Sequence, residues 1–201
     1  MLSGSATGFY GDRGDEILTE TCGPGEGFLS ELCRRWEAAA GPAARAGLRT
    51  VQSRTGLVVS SSGGLGRILG AAYRVGAGAR LGRGDQWQPW IGLEDAAAGL
   101  LWAIEHDDVH GPVNLTAPEP ARNRDLHRLL SRAGGPPSVA VVPQLLLDRA
   151  GRAGAVGGTG SIGGMLAELL GASQRAVPQA LLASGFRFTA PDAASVWALG
   201  A

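Results

Sequence analysis

The first residues whose types and spacing suit chemistry lie at the start of the chain. The segment Ser3-Gly4-Ser5-Ala6-Thr7-Gly8-Phe9-Tyr10-Gly11-Asp12 reads as the end of a buried strand running into a loop. Small side chains there let a ligand approach, and the Ser5 hydroxyl offers it a hydrogen bond. In an open α/β sheet the ligand crevice lies outside the carboxyl ends of the strands. Asp12, Asp15 and Glu16 follow. Paired carboxylates can do acid–base work, but Gly, Asp, Glu and Thr through residues 13–27 read as a solvated loop.

Several chemistries are excluded or weakened by composition. All 18 Lys+Arg residues are arginine. A lysine Schiff base, a P-loop lysine and a Tyr-x-x-x-Lys dyad are therefore absent from this chain. The formal net charge of +0 gives no basic field for nucleic acid and no polybasic membrane patch. No apolar run reaches the ~18 residues of a membrane span. Cys22 and Cys33 lack metal-ligand spacing and read as isolated buried thiols, which predicts a cytoplasmic protein. His106, His110 and His127 show no mutual spacing for a metal site either, so no metal is expected. No Gly-x-Ser-x-Gly elbow is present.

One string invites a dinucleotide reading. Gly157-Gly158-Thr159-Gly160-Ser161-Ile162-Gly163-Gly164 contains the Gly-x-x-Gly-x-x-Gly spacing. Such a loop works between a strand and a helix. Arg149 to Gly154 precede it and form no strand, so the segment 151–164 reads as a glycine-rich insertion.

The elements that must position these residues follow from periodicity. Phe28, Leu29, Leu32, Cys33, Trp36 and Ala40 recur at helical spacing and predict a helix over about 27–41. Pro42 should end or bend it. Residues 48–59 predict a β-branched strand with Arg54-Thr55-Gly56 inside it. A helix over about 65–75 follows, then a glycine-rich loop through 76–84 and a short strand at 88–93. Glu94 and Asp95 open a helix, where acids suit the N-terminal dipole. A strand at 113–115, a helix from Asn123 and a strand at 139–142 complete the alternation. That alternation is the signature of an α/β layer fold. From Gln144 onward the chain reads as a small, mostly helical element.

Taken together, SGSATGFYGDRGDE, LCRRWEAAA, RTGLVV, LGRGDQWQPWIGLEDAAAGLLWAIEH, GPVNLTAPEP and SQRAVPQALLASGFRF resemble the epimerase family of atypical short-chain dehydrogenase/reductases. Members of that family end in a domain of unknown function of about 50 residues. The likeness covers nearly the whole chain except 151–164. Family members carry about a hundred further residues upstream, with the first strands and the dinucleotide loop. The resemblance thus implies the C-terminal part of a Rossmann-like doubly wound parallel sheet over 1–143, lacking its N-terminal half. A small helical domain would occupy 144–201. It also implies NAD(P) as cofactor of the complete protein, held poorly by this chain alone.

Residue roles follow from the resemblance. Relatives with known chemistry use Ser, Tyr and Lys. Ser5 looks like their strand-end serine, but the Tyr and Lys positions fall near Leu29 and Cys33. That leaves Ser5 and Tyr10 as candidate catalytic hydroxyls. Thr55 and Gly56 would border the nicotinamide. Gln86, Trp87 and Trp90 would line a cleft for an unknown small-molecule substrate, because aromatic and amide groups suit a polar organic ligand. Gly92 departs from the histidine common in Trp-Ile-His. The function expected is an oxidoreductase or epimerase. A non-catalytic nucleotide- or metabolite-binding protein, or an inactive fragment, are the alternatives.

Overall fold

The computed structural model describes residues 1–60, 64–132, 136, 138–143, 145–146 and 168–198. The glycine-rich segment 151–164 lies outside them. Three parallel strands make the central sheet: β1 (Leu2–Ala6), β3 (Val51–Thr55) and β8 (Gly111–Leu115), in the order β1-β3-β8. The register sets Ser5 beside Arg54 and Arg54 beside Asn114. Because side chains alternate across a strand, these three polar residues share one face. Val51, Val113 and Leu115 point the other way and are buried.

Helices cover both faces, the arrangement parallel sheets require. Helix α3 (Leu93–Glu105) sends Ala96 and Ala103 onto the apolar face, where they join Val51, Ile91, Val113 and Leu115 in one core cluster. Helix α1 (Phe28–Arg45) lies over the polar face, with Ser30, Cys33 and Ala40 buried. The helix runs past Pro42, where the sequence predicted an end or a bend; Ala46 N–H still donates to the Pro42 carbonyl. The last turn tolerates the ring because few intrahelical bonds remain to be lost there.

The expected single strand over 48–59 is two. Strand β3 ends at Thr55, and β4 (Leu57–Val59) pairs with β7 (Trp90–Gly92) in a separate sheet. Gly56 makes the step. A Cβ at that position would run into the Pro89 carbonyl and lie 3.1 Å from Thr116 Cγ2. Pro89 likewise divides the expected strand near 88–93 into β6 (Trp87–Gln88) and β7, because proline cannot donate to a ladder.

Strand β4, which follows β3, packs on helix α2 (Gly64–Arg74), and helix α4 (Asn123–Arg132) packs on α2 and on strand β5 (Ala79–Leu81). Strand β9 (Ala121–Arg122) runs antiparallel to β6, and β10 (Ala140–Val142) runs parallel to β5. Two short elements were not legible in sequence. The loop at 13–27 contains β2 (Ile17–Leu18), which pairs with β11 (Arg175–Ala176). Helices α5 (Gln179–Ala183) and α6 (Ala193–Ala198) follow.

The C-terminal residues pack onto the sheet domain. Leu181 and Phe186 belong to the α3 core cluster. Asp95, 2% exposed, accepts the backbone N–H of Thr189 and of Ala190, each at 2.8 Å. Its acid was expected to serve the helix dipole; its carboxylate is committed to these two amides. Among the described residues no helix is long and apolar enough to cross a membrane.

Candidate functional site

Two neighbouring features occupy the carboxyl end of the sheet. The first is a buried polar network at the tip of β1. Arg54 reaches across the polar face and pairs with Glu37 of α1 at two points, Nε to Oε1 at 2.8 Å and Nη2 to Oε2 at 2.9 Å. Ser5 Oγ donates to the same Glu37 Oε1 at 2.8 Å. Arg54 Nη1 donates to Tyr10 Oη at 2.9 Å, and Tyr10 donates in turn to Asn114 Oδ1 at 2.7 Å. The guanidinium also lies 3.6 Å from the Phe9 ring centroid, a cation–π contact made in a site where arginine is almost fully desolvated.

This network engages the hydroxyl of Tyr10. The expected proton donor is 0% exposed and spends its hydroxyl inside the protein. Burial pushes its phenol up to about 12, partly offset by Arg54. Ser5 is also buried and bonded to Glu37, so its hydroxyl anchors the strand tip to α1. Leu29 and Cys33 face the same turn: a Cβ on Gly8 would lie 3.1 Å from Leu29 Cβ and 3.8 Å from Cys33 Sγ. Burial raises the Cys33 thiol, which makes it unreactive.

The second feature is a cavity of about 120 Å³ directly past the carboxyl end of β3. Strand β4 forms one wall with Leu57, Val58 and Val59, and α4 forms another with Leu126, His127 and Leu130. Tyr73, Ala79, Leu81, Gln88, Trp90 and Leu170 complete most of the lining. Trp90 is 2% exposed and donates its indole N–H to the Glu119 carbonyl at 3.2 Å. Gln88 donates to the Leu170 carbonyl at 2.9 Å.

The three expected substrate residues are thus divided. Trp90 lines the cavity. Gln86 bonds the Leu81 carbonyl at 3.3 Å from behind the lining. Trp87 alternates to the other side of its strand, with the guanidiniums of Arg122 and Arg175 4.3 and 4.7 Å from its ring centroid and its N–H on Asp15. Thr55 and Gly56 lie at the strand end beside Ala6, the place expected for a cofactor edge. Gly56 is needed there for the close approach of Pro89 as well.

Sequence reasoning missed Tyr73 and His127. Tyr73 Oη lies 2.8 Å from His127 Nδ1 at the cavity wall. Burial pushes the phenol up to about 12. Burial, and then the charge of Arg80, pull the imidazole below its ordinary value. No motif links two residues 54 positions apart. On the outer side of β5 and α4, Arg80, Arg83, Arg124 and Arg128 gather with Asp85 and Asp125. Among the described residues no group of three or more His, Cys, Asp or Glu is placed to hold a metal.

Comparison with known proteins agrees with this architecture. Residues 162–196 match the family described as "Domain of unknown function (DUF1731)". An epimerase family protein of Mycobacterium bovis is 38% identical over 188 residues, covering 94% of this chain and 59% of that protein. An epimerase family protein of Bacillus subtilis is 32% identical over 96% of this chain and 59% of its own length. The nucleoside-diphosphate sugar epimerase of Corynebacterium glutamicum superposes with a TM-score of 0.76 at 35% identity, over 98% of this chain and 36% of that one. Human epimerase family protein SDR39U1, solved with NADPH, gives 0.81 at 28% identity, over 98% and 63%. The chain has the α/β, parallel-sheet fold of these Rossmann-like proteins. It is homologous, along nearly its whole length, to proteins named as epimerase family members, and it spans 59% of the length of these curated relatives.

Proposed function

We propose that this chain is part of an NAD(P)-dependent oxidoreductase or epimerase of the epimerase family, acting on a small organic molecule. The observation that carries the reading is the position of the cavity. It opens immediately beyond the carboxyl end of a parallel strand, where α/β proteins of this class bind ligands. The likeness to a human protein solved with NADPH supports the cofactor. Residues 1–143 would form the dinucleotide-binding part and 144–201 the appended domain, in a cytoplasmic setting that suits free Cys22 and Cys33.

The residues present fit the nicotinamide end of such a cofactor. Thr55 and Ser5 close two adjoining parallel strands, and the small residues Ala6 and Gly56 keep that edge low. When bound, the cofactor supplies hydride transfer. The chain's own part is to hold the strand tips rigid through Arg54 and Glu37, and to orient a substrate against Trp90 and Gln88.

The test is a chimera in which the unaligned portion of the mycobacterial relative is joined to this chain. It should bind NADPH saturably and consume it with members of a panel of carbonyl compounds and nucleotide sugars. The chain by itself should bind no tighter than ~10 µM, about −7 kcal/mol. A folded chimera that binds no dinucleotide would overturn the reading.

A further inference from the structure

The segment that matches the domain of unknown function, residues 162–196, supplies three residues that each bind a different part of the candidate site. Glu168 Oε1 accepts the backbone N–H of Leu29 at 3.1 Å, in the first turn of α1. Gly27, the cap residue of that helix, has no side chain to do so. A Cβ on Gly27 would lie 2.5 Å from the Glu168 oxygen. Glycine therefore keeps the place open for a carboxylate that arrives from far along the chain.

Leu170 lines the cavity, and its carbonyl accepts Gln88 Nε2 at 2.9 Å. Gln88 is 1% exposed and lines the same cavity. A carbonyl can only accept, so this bond settles which end of the Gln88 amide faces it.

Ser173 is the hub. Its hydroxyl donates to the Gly14 carbonyl at 2.7 Å and accepts the Trp87 N–H at 3.1 Å. Its backbone N–H donates to Asp12 Oδ1 at 3.3 Å, and its carbonyl accepts the Arg13 N–H at 3.0 Å. Gln174 N–H adds a bond to the Trp87 carbonyl at 3.0 Å. One hydroxyl thus joins the loop that follows the tip of β1 to β6, the strand that carries Gln88. Only a side chain that donates and accepts at once makes both bonds.

We propose that residues 168–174 are a strap that completes the cavity, with Ser173 as its positioning residue. Ser173 holds β6 against the loop at 12–14 and so sets Gln88 and Leu170 where a ligand would meet them. It acts through Trp87, Gln88 and Leu170, not as a lining residue. The inference rests on the reading of this cavity as the substrate end, and it gives the segment of unknown function a role there.

Xenon, which enters apolar cavities, probes the wall without any dinucleotide. The chain, labelled with ¹⁵N and with ¹³C at leucine methyls, is pressurised with xenon. Methyl shifts are followed at Leu57, Leu130 and Leu170, together with hydrogen exchange. Wild type should show xenon shifts at all three leucines. Ser173→Ala should lose the shift at Leu170. It should also speed exchange jointly at the Gln88 side-chain amide and at the backbone amides of Arg13 and Trp87. Ser173→Thr keeps the hydroxyl and should restore the wild-type pattern. Val51→Ala removes core volume at the opposite end of β3. It should lower stability and leave the xenon shifts and the Gln88 amide unchanged. Equal effects of Ser173→Ala and Val51→Ala would overturn the proposal, because Ser173 would then contribute stability alone. So would the same xenon shifts in Ser173→Ala as in wild type. Should Ser173→Ala fail to fold, Ser173→Cys, a weaker donor and acceptor, must show the same losses in smaller measure. Because no NADPH is present, failure here is distinct from failure of the chimera to take up dinucleotide.

Discussion

Arg54 and Glu37 meet at two points beneath the tip of β1, with Nε–Oε1 and Nη2–Oε2 separations of 2.8 and 2.9 Å. One comes from the middle strand and the other from α1, so the pair ties the sheet to its covering helix. The side chains are 3% and 14% exposed. Ser5 and Tyr10, the two hydroxyls that first draw attention in the sequence, are both bonded to this pair.

Breaking one partner of a buried pair leaves the other charged and unpaired, at a cost of about 3–5 kcal/mol. Glu37→Gln and Arg54→Met should each lose stability of that order in urea unfolding. The double variant Glu37→Leu/Arg54→Met should recover much of the loss. Equal losses in single and double variants would show that packing, not charge, dominates.

The chain has two tyrosines, and burial raises both to about 12 from the ordinary value of 10.0. The folded state therefore binds more protons than the unfolded state between pH 10 and about 12. Stability from this source is complete below pH 10 and is lost as pH rises toward 12. Absorbance at tyrosinate wavelengths should stay near baseline in the native protein at pH 10.5. The guanidinium-unfolded chain should already be more than half ionised there.

His127 titrates with the opposite sign. Its value is lowered from 6.5, first by burial and then by Arg80. The unfolded state takes up a proton first as pH falls, so stability declines below about pH 6.5. His127→Gln should flatten that part of the profile in thermal melts followed across pH 5–7.5.

Asp95 accepts two backbone amides from the segment that leads to α6. Hydrogen bonds to a buried charge are worth about 1.5–3 kcal/mol each. Asp95→Ala should cost on the order of 3 kcal/mol and speed hydrogen exchange at Thr189 and Ala190 before it affects β3. Asp95→Asn, which keeps one acceptor oxygen, should fall between.

Gly56→Ala places a methyl against the Pro89 carbonyl. The Pro89 carbonyl is backbone and cannot swing away, so overpacking should cost about 1–3 kcal/mol. Chemical shifts of Leu57 and Trp90 should move, since these residues flank the step and line the cavity.

The alternation of helices and strands was legible in the sequence because hydrophobic period reports which face of each element is buried. Asn123 starts α4 as expected, and the Trp90-Ile91-Gly92 strand leads directly into α3. The breaks at Gly56 and Pro89 were not legible. They depend on two chain segments approaching within contact distance, and neither segment's own pattern encodes the other's position. Strands β2 and β11 escaped for the same reason: two residues each carry too little period to detect.

By its sequence alone this chain determined its layer class, its lack of a lysine-based dyad and the location of Ser5 at a strand end. Those properties are local or compositional. Tertiary structure decided what the polar groups do. It turned Tyr10 inward, because Arg54 and Asn114 share its sheet face by register. It brought Tyr73 to His127, because α2 and α4 fold against the same apolar cavity. Pairings between distant elements are fixed by packing, and no spacing along the chain records them.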